Sequence, residues 1–211
     1  MSVTGFWVIG VVPDRDIARL QRESPGAVAF GRLDPEHSGA MEWWSGRSAQ
    51  ESFFDPSSKG PVPTEQALRL QDALDTMRPA DDQHEAIKEE LLQLVPQGEG
   101  VDLFCASTRK GDPFAALDYA LGPEAMAQLP GWCGDFLLDA ADVLTALPGA
   151  EAALGPPPEC RDRVEERIRD WLEGMTDGAD HDLDDLVEGP LRVLRHAAQY
   201  GLGAAGLTFW N

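Results

Sequence analysis

The sequence has little positive charge. Its 211 residues include 17 Lys and Arg against 37 Asp and Glu, which leaves a formal net charge of -20 at pH 7. Proteins that hold nucleic acid phosphates or an anionic membrane without sequence specificity depend on a positive surface. The charge therefore excludes nucleic acid and membrane surfaces as expected partners, and it favours a basic protein if a protein is bound.

The chain is also poor in cysteine. Cys105, Cys133 and Cys160 are an odd number and lie 28 and 27 residues apart. Zinc ribbons and redox motifs need closely spaced pairs, and disulfide frameworks need an even count. We expect three reduced thiols that serve as small packing residues, and therefore a cytoplasmic protein.

Long hydrophobic runs are absent. The longest run, residues 6–12, is about a third of the ~20 residues that span a bilayer, and no basic residue precedes it. We therefore expect neither a signal peptide nor a transmembrane helix. A scarcity of Lys beside abundant Arg, Ala, Gly and Pro is typical of a GC-rich bacterial genome. The sequence is compatible with a homo-oligomer.

What is present indicates a folded domain. Hydrophobic residues make up 43% of the chain, which includes six tryptophans, and this excludes a disordered acidic tail. Residues 5–12 form the kind of continuous apolar run that is typical of a strand covered on both faces. Residues 204–210 predict a second, terminal strand. We expect one α+β domain over residues 1–211, in which a small sheet contains both strands and packs against several α-helices.

Apolar residues at helical spacing place further elements between these strands. Helices are predicted at 63–79, 81–96, 113–121, 123–129, 135–147, 159–173 and 191–200, and a short strand at 101–106. Residues 24–62 predict a long irregular loop, and 155–158 a Pro-rich connection. Asp135, Asp139 and Asp142 form a stripe on the fifth predicted helix. The simpler interpretation is the solvated side of that helix, and a cleft for acid/base chemistry is the alternative.

No motif identifies a catalytic residue or a cofactor. Residues 201–206 match the letters of a dinucleotide fingerprint, but a helix precedes them and too few residues follow. The histidines lack metalloprotease spacing, and no serine nucleophile elbow is present. Residues 177–188 carry six carboxylates and His181 but fail the EF-hand pattern. We interpret this stretch as a solvated acidic loop that caps the next helix, assign no metal, and keep divalent-metal binding as a hypothesis.

One cluster in the predicted loop is a candidate binding site. Glu42, Trp43, Trp44 and Arg47 combine adjacent indoles with charge, which is typical of a recognition hot spot or a ligand platform. The alternative is that both indoles fill the underside of the loop.

Two functions follow from these features. The first is a protein-interaction or regulatory module, of the immunity type for example, whose acidic face binds a basic partner. The alternative is a small-molecule-binding protein or enzyme with a pocket under the 24–62 loop.

Three stretches carry a resemblance to a known family. The opening MSVTGFWVI, the loop segment SFFDP at 52–56 and the segment LRHAAQYG at 194–201, which precedes the last strand, resemble the YfbM-like family of small bacterial proteins of unknown function. The resemblance implies a single cytoplasmic α+β domain. It carries over no catalytic residue.

Overall fold

Helices and strands alternate irregularly along the chain. The computed structural model describes residues 3–28, 30–31, 38–78, 81–98 and 100–211. The helices are α1 Asp14–Glu23, α2 Ser38–Ser45, α3 Glu65–Met77, α4 Asp82–Leu94, α5 Pro113–Leu121, α6 Pro123–Met126, α7 Ala140–Leu154, α8 Pro158–Met175 and α9 Leu183–Tyr200. The strands are β1 Thr4–Val12, β2 Phe54–Asp55, β3 Val62–Pro63, β4 Leu103–Arg109, β5 Phe136–Leu138 and β6 Gly203–Trp210. Within these ranges no helix is both long enough and apolar enough to cross a membrane.

The main sheet joins the two ends of the chain. It has the order β4-β1-β6-β5, with every neighbouring pair antiparallel. Gly5 lies opposite Trp210 and Val12 opposite Gly203, so β1 and β6 pair along almost their whole length. The prediction of an α+β domain whose first and last strands share a sheet is confirmed.

The strand β1 is covered on both faces because its side chains alternate between two core clusters. Trp7, Ile9 and Val11 belong to the larger cluster, which α3, α5, α8 and α9 help to form. Val8 and Val12 belong to the smaller one, under α1 and α4. The uninterrupted apolar sequence of β1 follows from this double coverage.

The segment 24–62 differs from its prediction. Its described part contains a short 3-10 turn at Pro25–Val28, the helix α2 and the two-stranded ladder β2-β3, so it is not an irregular loop throughout. Buried anchors give it this order. Phe53 is fully buried, and its backbone N–H donates to the Tyr119 hydroxyl at 3.0 Å.

The prediction of a helix at 135–147 is wrong for residues 135–139. Residues 136–138 form β5 against β6, and α7 begins only at Ala140, with Asp139 as its cap through a 2.8 Å bond from the Asp142 N–H. Asp135 is 1% exposed. The three carboxylates therefore do not form a solvated stripe on one helix, because pairing with β6 outweighs the local helical pattern.

Candidate functional site

A cavity of about 610 Å³ opens between α2, α3, α5, α6 and the loop 127–134. Its exposed lining residues include Glu42, Ser45 and Ala127, which we take as the mouth. Its buried lining residues are Trp44, Leu74, Phe114, Asp118, Cys133 and Gly134. The volume lies within the usual range for small-molecule sites, as does a largely apolar wall with few polar groups.

Asp118 supplies a carboxyl group in the buried part of the wall. It lies on α5, whose residues are all buried, and is itself 2% exposed. The Trp44 indole N–H donates to its Oδ1 at 3.2 Å, while its Oδ2 has no hydrogen-bond donor among the residues that the structure describes. Burial raises the pKa of Asp118 to about 7, and the nearby charge of Asp112 adds to the rise, whereas the Trp44 bond lowers it.

Aromatic side chains form much of the remaining wall. Trp44, Phe114 and Trp132 line the cavity from three different elements. The indole nitrogen of Trp132 is buried and has no acceptor within the described part of the chain. The residues that line the cavity thus supply aromatic surface and include one carboxylate oxygen and one indole N–H group that have no described partner.

The loop on one side of the cavity has an unusual backbone. Gly131, Cys133 and Gly134 all have positive φ, at 82°, 49° and 87°. Cys133 is the uncommon case, because a side chain disfavours this conformation. Two backbone hydrogen bonds of 2.9 Å between Trp132 and Asp135 close the turn. Burial raises the pKa of the Cys133 thiol strongly and so disfavours the thiolate, which is the nucleophilic form.

A buried polar cluster anchors this loop to the sheet. Asp135 accepts hydrogen bonds at Oδ1 from the Thr208 N–H and hydroxyl, at 2.6 and 2.8 Å. Its Oδ2 lies 3.0 Å from His84 Nε2 and 3.0 Å from Lys88 Nζ. Burial alone would raise the pKa of Asp135, but these partners outweigh it and hold the pKa below its ordinary value.

The structure places two of the four candidate residues from the sequence in the cavity lining. Glu42 and Trp44 line the cavity, Trp44 from the buried wall and not from the mouth. Trp43 and Arg47 are not among the described residues that line it. The guanidinium groups of Arg47 and Arg69 lie 4.8 Å and 4.5 Å from the centre of the Trp43 ring. Arg47 also pairs with Glu51 at 2.9 Å.

Many carboxylates of the acidic stretch 177–188 are already paired. Lys110 lies 2.6 Å from Asp177, and Arg192 lies 2.8 Å from Asp185. Arg161 contacts Glu188 at 2.6 Å. The described residues contain no group of three or more His, Cys, Asp and Glu side chains arranged to hold a metal ion.

Comparison of the chain with family models, with curated proteins and with solved structures gives no match. The resemblance to the YfbM-like family therefore stays a prediction.

Sequence reasoning missed Asp118 and Trp132. A signal for Asp118 was available: α5, PFAALDYAL, has one charged residue in an otherwise apolar helix. A charged residue in an apolar helix is either exposed to solvent or buried because it is paired or has a functional role. The absence of any polar face on α5 favours burial. Trp132 has no comparable signal, because its position depends on the turn that Asp135 closes.

Proposed function

We propose that the protein binds a small, mainly apolar molecule in the cavity between α2, α5 and the loop 127–134. The observation that carries this proposal is the Asp118 carboxyl group, which lines the cavity while one of its oxygens has no donor among the described residues. A buried polar group without a partner costs about 1–3 kcal/mol. A ligand that supplies the missing partner recovers this cost.

The pKa of Asp118 supports the same proposal. Groups whose pKa is strongly shifted by burial in a cavity are concentrated at binding and catalytic sites. Asp135 is equally buried, but its partners satisfy it and it lies outside the described cavity lining. Burial alone therefore does not distinguish the two residues, whereas the missing donor does.

The residues around the cavity favour binding over covalent catalysis. The Cys133 thiol is protonated, and no histidine is among the described residues that line the cavity. His84 is engaged with Asp135, away from the lining. A nucleophile activated by a nearby base is therefore not assembled from the described side chains.

Filling the mouth of the cavity tests the proposal. A neutral naphthylamine dye is expected to bind the wild type with one-to-one stoichiometry, measured by its fluorescence. Ala127→Trp places an indole at the mouth and should weaken binding about tenfold or more, which corresponds to about 1.4 kcal/mol. Gln128→Trp is the matched control, since Gln128 is exposed but does not line the cavity. Equal binding by both variants would contradict the proposal.

Docking on a basic protein remains a separate prediction from the charge of -20. Asp184 and Glu188 are 69% and 59% exposed, so the acidic stretch is accessible, although Arg161 neutralises part of it. Surface pairs of this kind are weak and screened by salt. A pull-down from native lysate at low salt that recovers no basic protein would count against this partner.

A further inference from the structure

The charges around the cavity have one sign. Its described lining contains two carboxyl groups, Glu42 at the mouth and Asp118 in the buried wall, and no Lys, Arg or His. The Arg78 guanidinium, whose charge acts on the lining residue Cys133, is paired with Asp112 and lies 3.5 Å from Asp75. An anionic ligand would therefore meet repulsion and find no free cation among these residues.

We propose that the ligand is an organic cation, an amine or quaternary ammonium compound, whose positive group lies beside the Asp118 carboxylate while its apolar part contacts the aromatic wall. This inference rests on the proposed binding function and names its ligand class. A charge buried without a counter-charge is strongly unfavourable, and a cation supplies both the charge and, in a protonated amine, the missing donor.

The aromatic wall supports the same ligand class. Trp44, Phe114 and Trp132 line the same cavity as Asp118, and the Trp44 indole nitrogen lies 3.2 Å from the Asp118 carboxyl. Aromatic rings attract cations through the negative potential of their faces, and the attraction is larger where water is excluded. A neutral alcohol of the same size could donate a hydrogen bond to Asp118, but it would gain neither this attraction nor the charge pairing.

Cation binding should be linked to proton release. The pKa of Asp118 is about 7 in the unliganded protein, so the carboxyl is largely protonated at about pH 5.5. A bound cation favours the carboxylate, and the displaced proton passes to solvent. The other ionisable groups near Asp118 are Glu42 on α2, the protonated thiol of Cys133 on the loop, and Asp112, which is paired with Arg78 of α3.

Two calorimetric measurements on the wild type test the inference. Phenethylamine, phenethyl alcohol and phenylpropionate have similar sizes and differ in charge. At about pH 8.5 the amine should bind about tenfold or more tightly than the alcohol, and the carboxylate weakest, because a charge-assisted bond exceeds a neutral one. Phenyltrimethylammonium has no proton to lose, so any proton released on its binding must come from the protein. Titrations in buffers of different ionisation enthalpy should show about one proton released per bound cation at about pH 5.5 and almost none at about pH 8.5.

A charge-matched pair of variants assigns the effect to one residue. Asp118→Asn keeps an acceptor for Trp44 but removes the charge, and it should bring the affinities for amine and alcohol together and abolish proton release. Glu124→Gln changes the net charge equally, at an exposed residue of α6 outside the cavity lining, and should behave as the wild type. The wild-type measurements stand even if the Asp118 variant does not fold.

The outcomes separate this inference from the proposed function. Equal binding of amine and alcohol, or tighter binding of the carboxylate, would overturn the cation while the cavity-dependent dye signal survives. Dye binding without binding of any phenyl compound would also overturn it. If the dye itself fails to respond to Ala127→Trp, the proposed function fails and this inference with it.

Discussion

Asp118 and Asp135 are both almost fully buried, yet their surroundings give them opposite properties. Asp135 has four hydrogen-bond donors around its two oxygens, and its pKa is lowered despite burial. Asp118 has the Trp44 indole as its described donor, and its pKa rises to about 7. The number of partners, and not burial, decides whether a buried carboxylate stabilises the fold or is available to a ligand.

Removal of the satisfied carboxylate should have the largest effect on stability. Asp135→Ala removes the carboxylate that accepts from His84 and neutralises the buried Lys88, which keeps its bond to the Thr208 carbonyl. This loss is expected to cost about 3–5 kcal/mol of the free energy of unfolding, measured by urea denaturation. Asp142→Ala, at an exposed position in the first turn of α7, should cost under about 1 kcal/mol. Equal losses in the two variants would mean that the Asp135 cluster does not hold the loop to the sheet.

Removal of the unsatisfied Asp118 carboxylate should increase the stability of the fold, whereas removal of the Asp135 carboxylate decreases it. The pKa of Asp118 is about 7 in the folded protein against 3.8 as its ordinary value, so the folded state binds more protons between these values and stability falls as pH rises through that window. Asp118→Asn removes this loss. Relative to the wild type it should gain up to about 4 kcal/mol between about pH 4 and pH 8.

Glu124→Gln again controls for net charge in that experiment. Urea midpoints of wild type, Asp118→Asn and Glu124→Gln should be followed across the same pH range. Parallel profiles for the wild type and Asp118→Asn would show that Asp118 does not titrate near neutrality.

The indole donor to Asp118 can be removed separately. Trp44→Phe deletes the N–H that lowers the pKa of Asp118, so the carboxyl should titrate at higher pH, as followed by carbon-13 NMR of the side chain. The lost hydrogen bond should cost about 1–3 kcal/mol. Trp43→Phe is the matched control, because the Trp43 indole nitrogen has no described partner. A similar shift in both variants would contradict the role of Trp44.

An exposed carboxylate should show the smallest effect. Glu188→Gln removes the negative charge that contacts Arg161 at 2.6 Å, but the Glu188 side chain is 59% exposed. We expect a change of about 0.5 kcal/mol or less in the free energy of unfolding, and a smaller one in high salt. If this variant lost as much stability as Asp135→Ala, burial would not determine how much a carboxylate contributes to the free energy of unfolding of this protein.

The fold was accessible from local patterns in the sequence. An uninterrupted apolar run marks β1 as covered on both faces, and helical spacing marks α3, α4, α5, α8 and the second half of α9. These patterns depend on residues close together in the chain. The interpretation of 177–188 as a loop is wrong from residue 183 onward, because α9 begins at Leu183. The start of α7 was missed because β5 forms through pairing with β6, which lies about 70 residues further along and leaves no local signal.

The site depended on distant contacts. Composition and pattern were enough for an acidic α+β domain and for a candidate cluster that includes Glu42 and Trp44. Only the folded chain decided which buried acid is satisfied: the donors of Asp135 lie 51 and 73 residues away at His84 and Thr208, and the donor of Asp118 lies 74 residues away at Trp44. A pKa follows from the charges and donors that packing brings within a few ångströms, and the sequence does not contain those distances.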